Sequence, residues 1–163
     1  MANVVPYAFK QGILKADHDF TSAVTNYPLA TNNAYNLALY DYNGGVPPYD
    51  VNDTSYSSAV ANEVVGTGYT VGGKPLVIGT VGQTGNFSTV DWATNAIWTT
   101  ATISAGYGVL YRWQTGGGTT ANQFIVAILD FTGAKSSTAG TFEVVFPTIV
   151  TGGDAILSIT GNP

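Results

Sequence analysis

From Tyr35 to Thr160 the chain is cut by glycine, asparagine and proline into short runs of β-branched and aromatic residues, and this punctuation admits few folds. Strands are expected at Tyr35–Tyr40, Ala59–Val64, Pro75–Thr80, Ser88–Trp92, Ala96–Thr102, Ala105–Trp113, Phe124–Phe131, Thr141–Phe146 and Ala155–Thr160. Leu37 and Leu39 alternate with Asn36 and Ala38, and Phe142, Val144 and Phe146 alternate with Glu143 and Val145, as in strands that bury one face. Phe124 to Leu129 is apolar on both faces, the pattern of a central strand. Many short strands joined by glycine-rich turns imply an all-β fold, an antiparallel sandwich of jelly-roll or immunoglobulin-like type.

One segment departs from this pattern. Pro6 to Ala16 reads as a short helix, with Tyr7, Phe9, Ile13 and Leu14 apolar and Pro6 where a first-turn proline is tolerated. Polar turn residues from Asp17 to Ser22 end it. Residues 1–163 are therefore expected to form a single domain, with residues 1–20 as an N-terminal arm. The long connection from Asn43 to Ser58 is polar and stiffened by Pro47-Pro48, so Tyr49 and Tyr56 are expected to be exposed on it.

Charge restricts the function. Only 9% of residues are charged, against about 25% in ordinary globular domains. Solubility then rests on Thr, Ser, Asn and Gln, and much of the surface is expected to be contact surface. Four lysines and one arginine, scattered in a chain of net charge −5, give no footprint for nucleic acid. The absence of cysteine excludes disulfides, thiolate metal sites and cysteine nucleophiles. Met1 to Pro6 lacks the basic start of an export signal, and no apolar run reaches the length of a membrane span, so synthesis in the cytoplasm and no membrane partner are expected.

Candidate chemistry is sparse. His18, the one histidine, sits between Asp17 and Asp19, but no second histidine completes a metal site, and the stretch reads as a solvated turn. No nucleophile elbow of the G-x-S-x-G type occurs. Gly66 to Lys74 superficially resembles a phosphate loop, yet Pro75 and a strand follow Lys74 where such a loop requires Ser or Thr and a helix. The stretch reads instead as tight turns leading into a strand, anchored by Tyr69. Glu63 and Glu143 are the only glutamates, too few for a persuasive glycosidase pair. Asp91 and Asp130 precede aromatic residues at strand edges, where a carboxylate accepts from neighbouring backbone amides.

In order along the chain, Phe9-Lys10-x-Gly12-Ile13-Leu14 with Asp19-Phe20, Leu37-Ala38-Leu39-Tyr40, Gly66-Thr67-Gly68-Tyr69-Thr70-x-Gly72-Gly73-Lys74-x-Leu76, Val90-Asp91-Trp92, Gly108-Val109-Leu110-Tyr111, Ala127-Ile128-Leu129-Asp130-Phe131 and Gly140-Thr141-Phe142-x-Val144-x-Phe146-Pro147 form a pattern. It resembles a family of small virion proteins of tailed bacteriophages, some of which look like head decoration, or cement, proteins. The chain departs from that pattern between Thr21 and Asn36, around Pro47-Pro48 and at Gly116 to Thr120, where it carries extra residues.

The resemblance implies a non-enzymatic virion component on the phage head surface, with the major capsid protein as partner. Self-association is expected as a homotrimer, because three-fold positions abound on icosahedral lattices. Neither cofactor nor metal is expected. The candidate interface residues are Tyr7, Phe9, Ile13, Leu14, Tyr49 and Tyr56. The alternative is a tail- or fibre-associated binding module that uses its aromatic residues on carbohydrate.

Overall fold

The computed structural model describes residues 4–14, 20, 33–57, 60–114, 123–148 and 155–160. His18, the Tyr27-Pro28-Leu29 stretch and the Thr115 to Thr120 tip lie outside them.

The chain folds as two packed antiparallel sheets with one short helix at the N-terminal end. Helix α1 spans Tyr7–Leu14. The strands are β1 (Asn33–Tyr40), β2 (Lys74–Leu76), β3 (Ile78–Thr84), β4 (Phe87–Trp92), β5 (Ala96–Gln114), β6 (Ile125–Val144) and β7 (Leu157–Thr160). One sheet has the order β2-β1-β5-β6 and the other β3-β4-β7. All pairings are antiparallel, with Leu37 opposite Leu110 and Val90 opposite Leu157. This is the expected all-β sandwich.

Alternation along β1 explains why the larger sheet has two apolar faces. Leu37 and Leu39 point into the main core with Leu110, Val126, Trp92, Trp98, Phe142 and Leu157. Ala38 and Tyr40 point the other way, into a second core with Tyr49, Tyr56, Tyr107, Val109, Tyr111, Ile125 and Ile128. A sheet buried on both sides needs a second cover. The connection after β1 supplies it.

That arrangement corrects the exposure expected for Tyr49 and Tyr56, whose side chains are only 5% and 1% exposed. Tyrosine suits a roof of this kind, because its ring adds apolar area while its hydroxyl finds a partner inside. Tyr56 stacks on Tyr111 at 3.9 Å between centroids, and Tyr40 meets Tyr49 edge to face at 5.7 Å.

Strand boundaries differ from expectation in four places. Ala96–Thr102 and Ala105–Trp113 are one strand, β5, and Phe124–Phe131 joins Thr141–Phe146 through β6. The joining residues, Thr132 to Thr141, are mostly small and polar, and pairing with β5 at Lys135 to Ser137 and at Gly140 keeps them in the strand across left-handed residues at Thr132, Gly133 and Ala139. Pro75–Thr80 is split at Val77, where the chain passes from one sheet to the other. Within Ala59–Val64 the described residues form a loop with one bridge, Tyr40 to Glu63, because Asn62 turns the backbone into the left-handed region at φ 72°.

β6 is an edge strand, contrary to the central position that its apolar run suggested. Its exposed edge is covered by the chain itself. Ile125 N donates to Thr54 O and Tyr56 N to Gln123 O, and farther along Val4 and Ile128 exchange two bonds of 2.9 and 2.8 Å. The helix places Phe9 in the main core with Ile13 packed half-buried against it, while Tyr7 and Leu14 face outward at 57% and 88% exposure. The four apolar residues of α1 therefore do not form one stripe. A helical repeat of 3.6 puts Phe9, Gly12 and Ile13 on the inner face.

Candidate functional site

The densest polar arrangement among the described residues surrounds Glu63, a carboxylate only 9% exposed. Oε1 accepts from the Tyr69 hydroxyl at 2.8 Å and from the Gly72 amide at 2.7 Å, while Oε2 accepts from the Tyr56 hydroxyl at 2.8 Å. Burial of a carboxylate is tolerable only with such donors around it.

Each donor is fixed by the elements around it. Tyr69 also accepts the Leu39 amide of β1 at 2.9 Å, so its hydroxyl links strand to carboxylate. Gly72 O accepts from the Tyr111 hydroxyl of β5 at 2.7 Å. Asn36 of β1 donates to that same Tyr111 hydroxyl at 3.3 Å. Val64 N donates to Leu39 O and Asp41 N to Asn62 O, which pins the Glu63 backbone alongside the end of β1.

The turn carrying Gly72 can lie this close to β1 only because Gly73 follows. Gly73 has φ +74°, and a Cβ there would sit 1.9 Å from Leu37 O. Lys74 then starts β2, its ammonium group donating to Ile97 O and lying over the Trp98 ring at 5.8 Å. The Gly66 to Lys74 stretch is a turn system anchored by Tyr69, as its sequence indicates.

A second group of hydroxyls adjoins this one. Tyr49 donates to Ser57 O at 3.1 Å and accepts the Ser57 amide at 2.9 Å. Its one proton is thereby used, so Tyr40 is the donor in the 3.3 Å contact between the two phenols. Burial pushes the Tyr40, Tyr49, Tyr56 and Tyr69 phenols above the usual tyrosine value, and the nearby Glu63 carboxylate adds to the effect. Tyr111 is pushed up to about 12, with burial again the main cause. None of these phenols supplies a phenolate at neutral pH, and both Glu63 oxygens are occupied by internal donors. The cluster spends its polar groups on itself and acts as a clasp between the 56–73 connection and strands β1 and β5.

The other sequence candidates do not join this cluster. Asp91 accepts its neighbour's Trp92 amide at 2.8 Å, and Asp130 accepts the Thr132 amide at 2.7 Å, the backbone role expected of both. Glu143 is exposed and accepts from Asn95 at 2.7 Å. Among the described residues no three His, Cys, Asp or Glu side chains come together as a metal site. Among the described residues no helix is long and apolar enough to cross a membrane.

Of the interface candidates, Tyr7 and Leu14 present their side chains to solvent, Ile13 is half-buried, and Phe9, Tyr49 and Tyr56 are inside. Glu63 escaped notice as a site because its partners at 56, 69 and 72 have no regular spacing. Tyr69 within the glycine-rich stretch was the available signal.

An open groove of about 550 Å³ runs along β6. Leu129, Phe131 and Phe142 form part of its apolar lining, and Lys135, Thr141 and Glu143 contribute polar groups. No protein-family model, curated protein or solved structure matches this chain.

Proposed function

We propose that this protein is a non-enzymatic decoration protein of a tailed-phage head, binding the assembled major capsid protein lattice and holding neighbouring subunits together. The observation that carries the reading is the structural use of the residues on which the resemblance rests. Gly66 to Lys74 builds the clasp around Glu63, and Leu129-Asp130-Phe131 ends the buried part of β6, where Asp130 accepts the Thr132 amide. Such a pattern specifies a shape, and a shape is what a lattice-binding protein must supply.

The surface agrees with this role. Val46, Val65, Val71, Val77, Val81, Val145 and Ile159 are exposed on a body with few charges to desolvate on contact. Repeated over a lattice, a modest interface gains its strength from multivalency. Self-association, as a trimer on three-fold positions, fits the same geometry.

Heads assembled without the protein test the reading. They should form, rupture at a lower temperature than complete heads, and recover when the protein is added back. Equal robustness of the two kinds of head overturns it. The groove along β6 favours one second reading, a tail- or fibre-associated carbohydrate-binding module, because it sets the Phe131 and Phe142 rings beside Lys135, Thr141 and Glu143. Labelled protein on the tail, together with binding on a glycan array, would select that reading instead.

A further inference from the structure

We infer that Asn43-Gly44 is a site of spontaneous deamidation, at which the folded protein converts Asn43 to aspartate and isoaspartate. This is independent of the virion reading, since it concerns the chemistry of a single turn.

Asparagine is among the thermolabile residues. Asn43 is the one asparagine of the chain that glycine follows. With no Cβ at Gly44, no side chain shields the Gly44 nitrogen from the carbonyl of the Asn43 side chain. Larger side chains follow the asparagine elsewhere, as in Asn36-Leu37, Asn62-Glu63 and Asn86-Phe87.

The fold leaves the pair open to reaction. Both residues are exposed, in the short 3-10 turn Asn43–Gly45 that follows β1. Gly45 N donates to Tyr42 O at 2.8 Å and Val46 N to Asn43 O at 3.4 Å, the second longer than the usual range. Neither bond uses the reacting groups. Among the described residues neither the Gly44 amide nor the Asn43 side chain makes a hydrogen bond, whereas Asn36 donates to the Tyr111 hydroxyl and Asn95 to Glu143. Gly44 has φ +68°, and a Cβ built there would meet no atom within 4 Å, so no neighbour blocks rotation of the turn.

The reaction balances without oxidant or cofactor. The Gly44 nitrogen, once it has lost its proton, attacks Cγ of Asn43. The N–Cγ bond forms, the Cγ–Nδ2 bond breaks, and the side-chain nitrogen takes up a proton and leaves as ammonia. Water then opens the cyclic imide. Opening at Cγ gives aspartate, and opening at the backbone carbonyl gives isoaspartate, whose main chain is longer by a methylene. Either product adds a carboxylate to a chain of net charge −5, in a depression that Asn43 shares with Asp41, Pro47, Pro48 and Asn62. The longer main chain falls where the connection over the second core begins, next to Tyr42, which stacks on Tyr107 at 5.9 Å between centroids.

The test compares the folded chain with the same chain in guanidinium chloride, both held at mildly alkaline pH and sampled over time. Peptide mapping by mass spectrometry should find aspartate and isoaspartate at position 43 in both samples, at comparable rates, with Asn36 and Asn95 intact in the folded one. Asparagine persisting at position 43 of the folded chain after the denatured chain has converted overturns the proposal. So does conversion of Asn36 or Asn95 in the folded chain at the rate of position 43. A second measurement labels isoaspartate in the aged folded chain with protein isoaspartate methyltransferase. Asn43→Gln should remove most of the methyl incorporation, because glutamine must close a larger and less favoured ring. Incorporation that stays mostly in place overturns the assignment.

Discussion

The Tyr69 hydroxyl stands between the Leu39 amide, which it accepts at 2.9 Å, and Glu63 Oε1, to which it donates at 2.8 Å. One phenol thus ties a strand of the larger sheet to a buried carboxylate, and the glycine-rich turn is fastened to the same acceptor.

Removing that acceptor should be costly. Glu63→Ala leaves the Tyr56 and Tyr69 hydroxyls and the Gly72 amide without their carboxylate, and each stranded buried donor costs about 1 to 3 kcal/mol. A loss of about 3 to 5 kcal/mol is expected, read as a lower urea midpoint with an unchanged slope. Glu63→Gln should recover part of it, because one carbonyl oxygen survives while the amide group faces donors. A loss below about 1 kcal/mol for Glu63→Ala would refute the clasp.

Two glycine substitutions separate backbone strain from collision. Gly73→Ala meets both a positive φ and the Leu37 carbonyl, and should cost about 3 to 5 kcal/mol. Gly85→Ala has φ +59° but no atom within 4 Å of the added carbon, and should cost about 1 kcal/mol. Thermal unfolding of the two variants distinguishes them. Equal losses would mean that the approach of the turn to β1 is not close in solution.

Alkaline pH should unfold the protein steeply. The buried phenols have folded-state values above their ordinary value of 10.0, so the unfolded chain releases protons first. Stability from these groups is fully present below about pH 10 and falls as pH rises beyond it, by about 1.4 kcal/mol per pH unit for each phenol that ionises only on unfolding. Absorbance at 295 nm should show the buried set ionising together with loss of the fold. Smooth ionisation of every tyrosine in the native state would contradict the burial of this cluster.

Phe9 should decide whether the arm stays down. Its ring is buried and meets Phe20 edge to face at 6.2 Å, so Phe9→Ala removes about 3 kcal/mol from the seating of the arm. Trypsin cleavage after Lys10 should then accelerate on the order of 100-fold, because cleavage follows the population of the open arm. Tyr7→Ala, which alters an exposed ring, should change it little. Similar rates for both variants would show that the arm is held by something other than Phe9.

Much of the fold is legible from residues alone. β1, β4 and β7 fall where alternation or β-branched content places them, and α1 begins after Pro6 as expected. The joined strands are not legible, because Thr132 to Thr141 carries little apolar signal and belongs to the strand only through its partner β5. The tyrosines of the 43–57 connection look like surface residues until the larger sheet is seen to be apolar on both faces. Glu63 reads as an isolated acid until Leu39 brings Tyr69 to it.

The order of strands across the larger sheet sets an order of events in folding. β5 and β6 are neighbours in sequence and pair along most of their length, so they can find each other quickly. β1 lies between the short β2 and β5, and its longer pairing, with Leu37 opposite Leu110, closes a long loop that costs entropy before any contact repays it. Pairing of β1 with β5 is therefore expected to follow the pairing of β5 with β6.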